Sequence, residues 1–278
     1  MSARLQLNAR RSHAQLVEWA AHEAWTEPRS YKVARHRGRQ ATVLTLHPHH
    51  GTGVALKVFR TKHPAFRNGV VTEEIAGLHR LNEIVSRFPY ASAPSPINVH
   101  PTAPAYVMTL VPGRSLVPAL PRLGIDDACR LGAQLGEVIE AYHDRFRRAL
   151  GDFQPRNILV HDAGLSVIDP THPRMSDEPG NTEGTRAQDL GWFVQACAAT
   201  LVRSPIRRWQ ILTYRSLLAP LMSATRTSPD EVADVAHELV TTYVDIRQCV
   251  RVIARSEHRI IELLLNRSTT CYGTKGES

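Results

Sequence analysis

Apolar positions change their period along the chain, and these changes divide it into elements. Over residues 12–26 the spacing is helical: Leu16, Trp19, Ala20 and Ala24 share one broad face, with Ser12 placed to cap the start and Pro28 to end it. From Tyr31 the period drops to two. Residues 31–34, 41–46 and 54–59 read as three strands of a meander, joined by polar turns over 35–39 and 47–53. Residues 70–88 return to helical spacing. A proline-rich loop over 89–104 leads to a strand over 105–111, which stops at Pro112-Gly113. Asp126 or Asp127 opens a long helix to about Phe146, carrying Leu131, Leu135, Val138, Ile139 and Tyr142. Two short apolar runs, 158–160 and 165–168, flank Asp162-Ala163-Gly164, the pattern of a tight hairpin. A polar loop over 170–186, an apolar helix over 187–202 and helices near 205–224 and 229–267 follow. No segment repeats. The pattern predicts an α+β chain, with an antiparallel sheet and one main helix in its N-terminal part and a mostly helical remainder.

Composition adds a sign of charge. The chain of 278 residues is 42% hydrophobic and 22% charged, and carries a formal charge of +8. A basic balance favours anionic partners, such as nucleotides, phosphorylated substrates or nucleic acid. An arginine-rich solvated surface accounts for the charge more simply than specific nucleic-acid binding. Cys129, Cys197, Cys249 and Cys271 form no closely spaced pair, so buried free thiols in a reducing compartment are expected. No apolar run approaches a membrane span, and the N-terminus has no apolar signal core, so a cytoplasmic chain is expected.

The candidate chemistry gathers at the hairpin. Asp152 precedes Asn157 by five positions, Asn157 opens the first strand, and Asp169 closes the second. Antiparallel pairing sets those two ends side by side. Three oxygen-bearing side chains at one point suit a hard cation such as Mg²⁺, and a carboxylate beside the metal pair suits a base that accepts a hydroxyl proton. Solvated turn residues would give the same local pattern. Upstream, Lys57 interrupts the apolar run VALKVF, on the strand face shared with Ala55 and Phe59. Taken alone it reads as solvent-facing. Glu74 leads the stripe Leu78, Leu81 and Val85 on the next helix, whereas Glu73 suits an ordinary first-turn carboxylate. His143, near the end of its helix, reads as a packing or capping residue.

With these parts in order, residues 30 to 200 resemble the protein-kinase-like superfamily, most closely its aminoglycoside-phosphotransferase-like branch and related small bacterial kinases. The resemblance implies a two-lobed fold, with residues 1–110 as the N-terminal lobe and 111–278 as the C-terminal lobe. It places ATP in the cleft at a hinge over 110–113, with Leu110 and Val111 beside the nucleotide. Lys57 matches the phosphate-gripping lysine and Glu74 its helix partner. Asp152 matches the catalytic aspartate, Asn157 and Asp169 the Mg²⁺ ligands, and Asp189 the helix residue that holds the catalytic loop. Three features depart from the family: Leu150 stands where a histidine is expected, 35–39 holds one glycine instead of a glycine-rich loop, and Asp169 is followed by Pro170-Thr171 rather than Phe-Gly, an ending familiar in small-molecule members. Gln154, where Ser/Thr protein kinases have a lysine, leans away from protein substrates. The implied activity is ATP- and Mg²⁺-dependent transfer of a phosphate to a hydroxyl of a small or sugar-like molecule. A nucleotide-binding pseudokinase with a regulatory or scaffold role is the second expectation, motivated by Leu150 and the poor phosphate loop. A protein- or nucleic-acid-associated atypical kinase is the third.

Overall fold

The computed structural model describes residues 3–25, 30–38, 40–62, 69–170, 185–203, 208–247 and 251–266. Helix α1 (Ala3–Ala24) starts well ahead of Ser12, because 3–11 holds no glycine or proline to stop it. Its expected stop at Pro28 lies outside the described residues. Strands β1 (Tyr31–Arg37), β2 (Ala41–Pro48) and β3 (Val54–Phe59) form the meander. The sheet is wider than that. β5 (Pro96–Val99) and β6 (Ala105–Thr109) extend it to an antiparallel order β1-β2-β3-β6-β5. β5 lies in the stretch read as a loop: Pro96 opens it, and its side chains are mostly exposed, so it carries no apolar alternation.

One face of this sheet is covered by α1, whose Leu16 and Ala20 pack on Leu44, Leu46, Val54, Leu56, Ala105 and Val107. The other face holds Ala41, Phe59 and Tyr106, packed against Val70 and Leu78 of helix α2 (Val70–Val85). Both faces of β3 are therefore buried. This overturns the solvent-facing reading of Lys57, which is only 6% exposed. Further along α2, Leu81, Ile84 and Val85 join the core of the helical part, so one helix links both cores.

Two strands of a second sheet are short: β4 (Ala91–Ser92) and β7 (Arg114–Ser115). They flank the predicted hairpin, β8 (Ile158–His161) and β9 (Gly164–Val167), in the order β4-β9-β8-β7. The helical part consists of α3 (Leu116–Ala119), α4 (Ile125–Phe146), α5 (Arg186–Val202), α6 (Arg208–Thr225), α7 (Pro229–Arg247) and α8 (Arg251–Leu264). The single helix expected over 229–267 is two, since His237 of α7 and His258 of α8 stack against each other and the chain must reverse between them. No glycine or proline marks that reversal, and residues 248–250 lie outside the described set, as do 171–184 of the expected polar loop.

Leu135, Val138, Ile139, Phe153, Phe193 and Leu217 are fully enclosed in the helical core. Each such side chain contributes about 1.5–3 kcal/mol by leaving water. An exposed pair such as Arg130–Asp127 contributes about 1 kcal/mol or less, so apolar burial holds this part together. Cys197 is a buried free thiol and Cys129 a half-buried one, while Cys249 and Cys271 lie outside the described residues. No helix among the described residues is long and apolar enough to cross a membrane.

Candidate active site

Strand register sets the first part of the site. Lys57 of β3 lies opposite Val43 of β2 and Tyr106 of β6, and Val43 lies opposite His36 of β1. These four form one row across the sheet face that turns toward α2. The helical stripe brings Glu74 to the same face, 5% exposed, while Glu73 is exposed. The Lys57 ammonium donates to Glu74 Oε1 at 2.8 Å and to Asp169 Oδ1 at 2.5 Å. The Tyr106 hydroxyl donates to the other Glu74 oxygen at 2.9 Å.

Burial and charge act in opposite directions here. Burial alone would lower the Lys57 ammonium, but Asp169 and Glu74 together outweigh it and hold the group above the ordinary lysine range. Burial pushes the Glu74 carboxyl up to about 7, with Lys57 opposing it. Burial also drives the Tyr106 hydroxyl well up, which keeps it a donor.

The hairpin supplies the second part. The Ile168 amide donates to Asn157 O at 2.9 Å, so the start of β8 and the end of β9 meet as their order required. Asp169 adopts φ 57°, a left-handed conformation that is uncommon outside glycine, and this turn aims its carboxylate at Lys57. Asn157 donates from Nδ2 to Asp152 O at 2.8 Å and to Asp152 Oδ2 at 3.0 Å. That orientation, assigned from the bonding network, leaves the Asn157 carbonyl oxygen for other partners. Asp152 also receives Gln154 Nε2 on Oδ1 and Arg156 Nη2 on Oδ2, the latter at 3.3 Å. Lys57, Glu74, Asp152, Asn157 and Asp169 are thus linked through two hydrogen-bonded groups on either side of the hairpin.

A buried anchor holds the loop before Asp152. Asp189 of α5 is fully buried. Its Oδ2 accepts from the Leu150 amide at 2.7 Å and from His143 Nε2 at 2.8 Å, and its Oδ1 accepts from the Gly151 amide at 3.1 Å. Gly151 has φ 108°, a conformation that side chains rarely adopt, so glycine is required there. Leu150 points into the helical core and Phe153 stacks on Phe193 with centroids 4.9 Å apart. The loop is therefore fixed by an apolar residue on each side and by Asp189, which His143 of α4 holds in turn. The sequence reads His143 as a packing or capping residue, and nothing in the spacing of 143 and 189 announces their pairing.

Leu110 and Val111 follow β6. The Leu110 amide is used internally, donating to Gly53 O at 3.0 Å. The Val111 amide has no backbone acceptor among the described residues. Ser166 Oγ donates to Pro112 O at 3.0 Å, and Gly113 at φ 117° carries the chain so close to β8 that a Cβ would stand 2.9 Å from the Leu159 Cβ. Between β1 and β2, the Gly38 amide donates to Ala41 O at 2.9 Å, closing a tight turn rather than an extended loop; Arg39 lies outside the described residues. A cavity of about 500 Å³ lies at the β2–β3 turn, lined by Ser30, Pro48, His49, His50 and Gly51, none of which belongs to this cluster.

The fold has counterparts in solved structures. The amicoumacin kinase hAmiN, solved with AMP-PNP, Ca²⁺ and Ami, superposes with a TM-score of 0.55 at 12% identity, covering 94% of this chain and 95% of that one. The fold is the two-lobed, kinase-like α+β fold. A glucosamine kinase in complex with glucosamine, ADP and inorganic phosphate superposes with a TM-score of 0.50 at 13% identity, over 84% of this chain and 80% of that one. No protein-family model matches the chain, and no curated protein matches it.

Proposed function

We propose that the chain is an ATP-dependent phosphotransferase that moves the γ-phosphate to a hydroxyl of a small or sugar-like molecule. The observation that carries this reading is the Lys57 ammonium, held between Glu74 and Asp169 while Asp152 and Asn157 stand across the hairpin. A buried ammonium between two carboxylates stays charged and fixed, which suits it to grip phosphate oxygens when a nucleotide enters. We place the lobe boundary at 110–111. The adenine edge meets the chain there, with the Val111 amide as donor and Leu110 beside it.

Asn157 Oδ1 and the Asp169 carboxylate are the residues that would hold Mg²⁺. Hard oxygens suit that ion, which keeps other positions for water and phosphate. The fold neighbour's complex with AMP-PNP and Ca²⁺ supports a nucleotide and a divalent ion together. When bound, the ion neutralises charge on the phosphates. Asp152 orients the acceptor hydroxyl and takes its proton as the new O–P bond forms and the bond from the γ-phosphate to ADP breaks, with ADP as the leaving group. Asp189 acts by position, since it fixes the Leu150–Gly151 backbone from which Asp152 projects.

The smaller-acceptor reading is favoured by the fold neighbours, whose complexes hold Ami and glucosamine. A second reading, a nucleotide-binding pseudokinase, rests on a specific observation: Gln154, Arg156 and Asn157 all donate to the carboxylate that would serve as base. Asp152→Asn separates the two. We expect Mg·ATP affinity within a few-fold of wild type and single-turnover transfer reduced about 10²-fold or more, the scale of general-base loss. ATP binding without transfer by the wild type, across a broad panel of hydroxyl compounds, establishes the pseudokinase instead.

A further inference from the structure

The covering of Asp152 is uneven, and the unevenness points to the acceptor. Asn157 Nδ2 is tied to both Asp152 Oδ2 and Asp152 O and is buried. Gln154 is half-buried on Oδ1. Arg156 makes the longest of the side-chain contacts, 3.3 Å, from a side chain that is 62% exposed, against 8% for Asp152. Its backbone is anchored, since Arg156 O accepts from Ser115 Oγ at 3.3 Å within a 3-10 turn opened by Pro155. A fixed backbone thus carries a solvated guanidinium that reaches the base from the open side. Asp152 Oδ2 accepts from both Asn157 and Arg156, so its two acceptor positions are taken and a hydroxyl can donate to that oxygen only when one of them leaves. Of the two side chains on Oδ2, Arg156 is held less firmly, because its contact is longer and an ion pair with one solvated partner is weak. A guanidinium leaves such a partner readily for a second anion that it can grip with two parallel bonds.

We propose that Arg156 recognises a phosphate or carboxylate group on the acceptor, and that the acceptor is therefore a small anionic hydroxyl compound. Binding that group draws the guanidinium off Asp152 Oδ2 and frees the oxygen for the hydroxyl proton. Recognition and uncovering of Oδ2 are one movement, so a neutral or amine-bearing acceptor leaves that oxygen covered. The net charge of +8 runs in the same direction, favouring approach of an anion. The proposal rests on the phosphotransferase reading. The competing account is a simple surface ion pair between residues four apart, which predicts no effect on acceptor choice.

The test measures ADP release from Mg·ATP with matched acceptors: glycerol, glycerol 3-phosphate and glycerate, and glucose, glucose 6-phosphate, gluconate and glucosamine. Wild type, Arg156→Ala and Arg156→Lys are compared. We expect the wild type to prefer anionic members by about tenfold or more in kcat/KM, as when a site's charged group loses its partner. Arg156→Ala should bring the ratio to within about twofold, the scale of a solvated ion pair, with Arg156→Lys between them. The ratio of phosphate to carboxylate members identifies the anion. Preference of the wild type for neutral or amine-bearing members overturns the proposal, as does an unchanged ratio in Arg156→Ala. If Mg·ATP binds but no member is phosphorylated, the phosphotransferase reading fails on its own. Calorimetric titration of the same compounds into the Mg·AMP-PNP complex then decides the Arg156 question: Arg156-dependent binding of anionic members supports recognition, and its absence overturns it.

Discussion

Asp189→Asn is the substitution whose cost follows most directly from the structure. The carboxylate is fully buried and accepts three hydrogen bonds, from Leu150 N, Gly151 N and His143 Nε2. An asparagine of the same size has one oxygen and one NH₂ group. With the oxygen toward Leu150 and His143, the NH₂ faces the Gly151 amide, donor against donor. With the oxygen toward Gly151, two donors are left instead of one. The first arrangement is the cheaper, and it still exchanges charge-assisted bonds for neutral ones and strands a buried N–H. Those losses sum to about 3 kcal/mol, near the lower end for breaking a buried charged network. Equilibrium urea unfolding of both proteins reads the difference as a shift in midpoint at unchanged slope. The loop that carries Asp152 should also lose its fixed position, so nucleotide-dependent turnover should fall with stability. A stability difference below about 0.5 kcal/mol, the range of an ordinary surface substitution, would refute the anchoring argument.

Lys57→Met removes the cation between two carboxylates and leaves Glu74 buried with only Tyr106. We expect lower stability, by about 3 kcal/mol or more, and weaker binding of Mg·ATP in a fluorescence titration; retention of both would dissociate Lys57 from the site. Burial raises Glu74 from its ordinary 4.5 to about 7, so between those values the native chain holds a proton that the unfolded chain has released. Wild-type stability relative to Glu74→Gln should therefore fall as pH rises through that window, by up to about 3 kcal/mol, and level off above it. A flat difference across the window in paired urea melts would contradict the burial argument. Asp169→Asn should reduce the advantage that Mg²⁺ gives to ATP affinity, measured by calorimetry with and without the metal. Equal metal dependence in variant and wild type would count against Asp169 as a ligand.

Local pattern alone determined most of the elements and much of the order of the site residues. Period-two spacing located β2, β3 and the β8–β9 hairpin, because alternation and turn residues are properties of neighbouring positions. The stripe Glu74, Leu78, Leu81 and Val85 distinguished Glu74 from Glu73 for the same reason, since residues three and four apart share a helical face. Only the tertiary structure decided what depends on partners remote in sequence. Lys57 is buried because α1 covers one sheet face and α2 the other, and its bond to Asp169 spans 112 positions. β5 is a strand because β6 offers it an edge, not because its own residues alternate. His143 becomes an anchor because α5 delivers Asp189 to it across 46 positions, and Tyr106 meets Glu74 because strand register sets it opposite Lys57. The Asp152–Arg156 contact is local, only four positions apart, yet sequence did not show it. Whether such a pair bonds depends on how much of each side chain the surrounding fold leaves in water.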